Sequence, residues 1–164
     1  MIKRIMAAIA ASVAIAIPAY SRVDPGTMDL IRTAEQYGAT FEYNTSECGG
    51  RFKGRYRLKE KLITLCYSGV PGADGHDTVR HEVFHFIQHC RAIRSNYRYG
   101  LMTLSSDNTL RTRWVAQYLT PSKIKTIKRI YPAHQHQVEL EAFAAAAHYT
   151  ATDLQYLVRS WCLR

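Results

Sequence analysis

The chain has 164 residues, 47% of them apolar, with 22 Lys and Arg against 13 Asp and Glu for a formal charge of +9. That size suits one domain with its own core, and no internal repeat or low-complexity tract argues for an array or a second unit. The basic balance favours anionic partners such as a cell-envelope polymer, lipid headgroups or acidic peptides, and no motif points to a specific nucleic-acid target.

Residues 1–21 have the features of an export signal. Lys3 and Arg4 precede an apolar run over 5–17, and Pro18 leads into the small-residue site Ala19-Tyr20-Ser21. The run falls short of the roughly 20 apolar residues that span a bilayer, so no transmembrane segment is expected in the mature chain. The mature protein, 22–164, is expected to be secreted or periplasmic, and loss of Lys3 and Arg4 lowers its formal charge from +9 to +7. In an oxidising compartment Cys48, Cys66, Cys90 and Cys162 form an even set, so two disulfides are expected. Of the three pairings, Cys48–Cys66 closes a hairpin-sized loop and Cys90–Cys162 ties the middle of the chain to its end. The absence of a C-x-x-C pair disfavours cysteine-ligated zinc.

A helix over 29–37 stops at Gly38. Strands follow at 40–43, 52–58 and 61–67, with Cys48-Gly49-Gly50 as a turn and Ser68-Gly69-Val70-Pro71-Gly72 as the stop. The expectation is a small antiparallel sheet of about three strands. Arg51, Lys53, Arg55, Arg57 and Lys59 share one strand face, which reads as the solvated side of a hairpin.

Beyond Asp77 the pattern is helical, and the fold class is α+β. Asp77 or Thr78 caps a helix whose stripe Val79, Val83, Phe86, Ile87, Cys90 and Ile93 packs on the core. His81, His85 and His89 occupy its other side. Further helices are expected at 108–119, 122–131, 135–149 and 152–161, broken at Thr120-Pro121 and Tyr131-Pro132. In the second of these Ile124, Ile127 and Ile130 look like core anchors.

Residues 81–85 read H-E-V-F-H. On a helix, side chains at i and i+4 project together, so His81 and His85 can bind one Zn²⁺ while Glu82 works as general base on the activated water. Three ligands in one helical row do not converge easily, so His89 reads as a lining or supporting residue. The extended H-E-x-x-H-x-x-G-x-x-H set is absent, because Gln88 and Arg91 stand at its later positions. No Gly-rich phosphate loop or G-x-S-x-G elbow competes with this site.

Downstream, residues 138–144 read V-E-L-E-A-F-A. With H-E-V-F-H, this segment resembles the gluzincin zinc metallopeptidases, in which a glutamate of an E-x-x-A pattern on a later helix completes the metal site. It is similar in particular to short exported zincin domains. The resemblance implies a minimal zincin-like fold over 22–164, one Zn²⁺ per chain on His81, His85 and Glu139, and Ala142 packed behind. Many relatives carry Asp or Asn where Phe143 stands, which leaves support of the histidines unassigned and Glu141 open as the ligand. The implied activity is peptide-bond hydrolysis with Glu82 as base. Oxyanion donors would come from His148, Tyr149 or Tyr131, and the 61–67 strand would offer its edge to a peptide or protein substrate. Two other readings stand beside it: a basic secreted binding module with a non-catalytic motif, and a zinc amidase acting on a cell-wall linkage.

Overall fold

The computed structural model describes residues 25–49, 52–66, 73–98 and 100–162. The leader, Arg51 and the stop at 68–72 lie outside the described residues. Helix α1, Pro25–Gln36, precedes strands β1, Thr40–Tyr43, β2, Gly54–Arg57, and β3, Leu62–Leu65. Helices α2, Ala73–Arg94, α3, Asn108–Tyr118, α4, Pro121–Ile130, α5, His136–His148, and α6, Ala151–Trp161, complete an α+β fold.

Pro25 suits the first turn of α1, where a missing N–H costs nothing. The helix ends where Gly38 takes φ +96° and Ala39 N–H closes back on the Ala34 carbonyl.

The sheet is mixed, not antiparallel, with order β1–β3–β2. β2 and β3 form the expected antiparallel pair, but β1 runs parallel to β3, with Thr40 opposite Leu62 and Tyr43 opposite Leu65. β1 and β2, joined by the link 44–53, flank β3, so the last strand in the chain takes the middle of the sheet. Every residue of β3 is buried, which fits a strand paired on both edges. Cys48–Cys66 fastens that link to the end of β3, with Cα atoms 5.4 Å apart.

The core gathers Leu30 and Ile31 of α1, Ile63 and Leu65 of β3, Val79, Val83, Phe86 and Ile87 of α2, and Leu154 and Val158 of α6. Cys90–Cys162 joins α2 to the chain's end, so both expected disulfides are present. Helix α2 starts a turn earlier than its sequence suggests, and Asp77 pairs with Arg80 inside it instead of capping it. Two expected core positions are open: Ile93 is 52% exposed in the last turn of α2, and Ile130 is 65% exposed at the end of α4. Ile127 is buried against Val115, Leu119 and Ala144. The basic face of β2 is answered by acids, since Arg57 lies 3.3 Å from Glu42 and 3.6 Å from Glu47, and Arg55 lies 3.7 Å from Glu47. Among the described residues no helix is long and apolar enough to cross a membrane.

Candidate metal centre

Helix α2 places His81 and His85 one turn apart, with their Nε2 atoms facing each other at 3.1 Å. Glu139 enters from the first turn of α5. One of its oxygens lies 3.4 Å from His81 Nε2 and the other 3.4 Å from His85 Nε2. All three side chains are buried, and their ligand atoms fit within 4.8 Å of one another. Tetrahedral coordination at about 2.0–2.2 Å separates ligand atoms by about 3.3–3.5 Å, close to the spacings found here. Glu139 Oε2 is buried with no hydrogen-bond partner among the described residues. Two imidazoles and a carboxylate enclosed in this way make a group that can hold a metal ion.

The electrostatics agree with a coupled cluster. Burial acts to raise the pKa of Glu139, but the flanking imidazoles outweigh it and hold the carboxyl at about 2. Burial acts to lower His85, yet Glu139, Glu82 and the Gln88 hydrogen bond hold it up at about 9. Glu82 is raised chiefly by burial, against the pull of both histidines, while the Tyr56 N–H donates to its carboxylate.

Glu82 is pressed against β2. A Cβ on Gly54 would lie 2.7 Å from Glu82 Cγ and 2.8 Å from its Oε1, so only glycine lets strand and helix approach this closely. His81 is backed by the Phe143 ring, with centroids 4.2 Å apart, and Lys123 Nζ caps that ring at 4.8 Å. Phe143 thus gives His81 a packing surface where a polar residue could have given a hydrogen bond.

The two glutamates of α5 separate cleanly. Positions two apart point about 200° away from each other around a helix. Glu141 turns from the metal group to accept hydrogen bonds from Gln88 Nε2 at 2.9 Å, Leu104 N at 2.8 Å and Ser105 N at 3.2 Å. It lies in a separate hydrogen-bonded cluster, outside the His81–His85–Glu139 group. It anchors the segment 103–105, which Arg111 also grips through Thr103 Oγ1 and the Ser105 carbonyl.

His148 and Tyr149 are not at the metal group. Nine residues of helix carry the chain about 13 Å beyond Glu139, and His148 there packs edge-on against Trp114 and at a tilt against Tyr118 and Tyr149. Tyr149 borders a different hollow, beside Phe84 and Glu141. Tyr131 does face the site, near enough to Glu139 and Glu82 that their charges, after burial, help to raise its pKa. His89 lines no metal position and instead meets the Tyr56 hydroxyl at 2.6 Å.

His81 and Glu82 form a divide between two hollows. One, of about 680 Å³, runs past Tyr56, Tyr97, Leu101 and His134; the other, of about 630 Å³, runs past Leu119, Lys123, Ile130 and Phe143. Gly54 borders both. The edge that faces the groove is therefore β2, because both sides of β3 are already paired. Gly54, Gln88 and Tyr56 were not singled out for this site by sequence. A glutamine three residues after His85, close to the same helix face, is the one signal in the sequence that points to Gln88.

The domain is thus an α+β fold carrying a buried His-His-Glu group with a carboxylate beside it. No family model, curated protein or solved structure matches the chain.

Proposed function

We propose that this protein is an exported zinc metallopeptidase. The observation that carries the reading is the convergence of His81, His85 and Glu139 from two helices with Glu82 set beside them at the floor of a groove. A two-imidazole, one-carboxylate donor set suits Zn²⁺, and three protein ligands leave a position open. When bound, zinc lowers the pKa of water toward neutrality and polarises a carbonyl.

The chain's own residues supply the rest. Glu82 receives the proton of the attacking water and later delivers it to the departing amine. Its raised pKa suits that exchange, since a carboxylate at its ordinary value is a weak base near neutrality. The Tyr131 phenol, across the groove, donates to the carbonyl oxygen as charge develops there. Gly54 and Arg55 of β2 offer backbone to an extended substrate segment. Two disulfides support an oxidising destination, outside the cytoplasm.

Elemental analysis of protein purified without chelator is expected to give about one zinc per chain. Glu82→Gln should retain the metal and lose hydrolysis of a peptide library. Zinc-free wild-type protein that ignores added metal would return the chain to the class of basic binding modules. Release from peptidoglycan with none from peptides would make it an amidase.

A further inference from the structure

We infer that Gln88 is the positioning residue of the metal group, and that Glu141 holds it in place. The inference rests on the metal reading above. Gln88 is fully buried. Its Nε2 donates to the Val138 carbonyl at 3.0 Å and to Glu141 Oε2 at 2.9 Å. Both partners are acceptors, so the amide can take only one orientation; flipped, its oxygen would face a carbonyl and a carboxylate. The amide oxygen must therefore face His85 Nδ1, which lies 2.8 Å away.

An acceptor at that distance requires a proton on Nδ1. The lone pair of Nε2 is then left for the metal, and the ring plane is set. Glu141 is itself held by the Leu104 and Ser105 amides, so a continuous chain of hydrogen bonds runs from the 103–105 segment to His85. His81 has no such support. Its Nδ1 is buried without a hydrogen-bond partner among the described residues, and Phe143 packs on its ring. The orientation of the pair is thus vested in His85, and the polar support comes from the motif helix itself instead of from the residue after Ala142.

The test measures zinc affinity by competition with a chromophoric chelator, together with imidazole ¹H–¹⁵N spectra of the zinc-loaded protein. Wild type should show a slowly exchanging His85 Nδ1–H. Gln88→Leu should bind zinc about 10- to 100-fold more weakly and lose that protection. Glu141→Gln keeps an amide oxygen for Gln88 Nε2 and Leu104 N and gives up only the Ser105 contact. It should bind zinc to within about threefold of wild type and keep the His85 Nδ1–H protection, and loss of that protection overturns the part given to Glu141. Unchanged zinc affinity in Gln88→Leu overturns the role. So does a wild-type spectrum in which His85 carries its proton on Nε2, a result that needs no variant to fold. Wild-type protein that binds no zinc removes the metal reading itself, and this role with it.

Discussion

On the metallopeptidase reading, replacing Gly54 by alanine should separate catalysis from metal binding. The added Cβ would meet Thr78 Cγ2 at 2.5 Å, Glu82 Cγ at 2.7 Å and Glu82 Oε1 at 2.8 Å. Ordinary carbon contacts lie at about 3.5–4.0 Å, so β2 and α2 must part by about 1 Å or Glu82 must turn aside. Either response breaks the contact that aims the carboxylate, and a displacement of about 1 Å can cost about 100-fold in rate. Overpacking of this kind destabilises by about 1–3 kcal/mol, small enough for the two disulfides to keep the domain folded. His81, His85 and Glu139 are not among the three atoms met first. Gly54→Ala should therefore bind one zinc per chain while kcat/KM on a cleaved peptide falls by about 100-fold. Adding Thr78→Ser removes the Cγ2 clash and keeps the hydroxyl. It should restore part of the lost stability but little of the rate. Activity within a few-fold of wild type in Gly54→Ala would refute the role given to Glu82 and its strand wall.

Glu139→Ala should abolish zinc binding. Glu141→Ala should keep one zinc per chain at reduced affinity and lower stability by about 1–3 kcal/mol, because Gln88 and two backbone amides lose their acceptor; denaturant melts and metal titration read both. In metal-free protein, Glu139 is held at about 2 and His85 at about 9. Glu139 contributes stability above its ordinary value of 4.5, lost as pH falls through about 2; His85 contributes below 6.5, lost as pH rises through about 9. Their joint contribution should peak between pH 4.5 and 6.5, seen in urea melts across pH. Zinc uptake at pH 7 should release about one proton from His85, measured by calorimetry in two buffers of different ionisation enthalpy; no release would contradict the coupling. Removing Cys90–Cys162, which spans 72 residues, should cost up to about 4 kcal/mol, a loss read from the thermal midpoint.

What could be read from residue order was local. The i, i+4 spacing of His81 and His85, the stripe Val79, Val83, Phe86 and Ile87, and the proline and glycine breaks all depend on nearby positions, and the helices stand close to where those signals put them. An even cysteine set and loop lengths sufficed for the disulfides. Strand pairing is non-local, and alternation alone carries no direction, so the parallel partner of β1 was not legible. Ile93 and Ile130 have apolar spacing, but whether a helix end overhangs the core depends on the neighbouring element. The same holds for α5, which is apolar nearly all round. Phase separated Glu139 from Glu141 without saying which side faced α2. His148 and Tyr149 were chosen as nearby polar groups on the chain, and the helix axis carries them away from the group. Gly54 serves the site through the side chain it lacks, which no motif records.

Diffraction from crystals grown with zinc, collected on both sides of the zinc absorption edge, addresses the central claim directly. The account predicts a single anomalous peak per chain within coordination distance of His81 Nε2, His85 Nε2 and a Glu139 oxygen, with Glu141 still bound to Gln88. A map with no peak between those three side chains, or with its peak on Glu141, would contradict it.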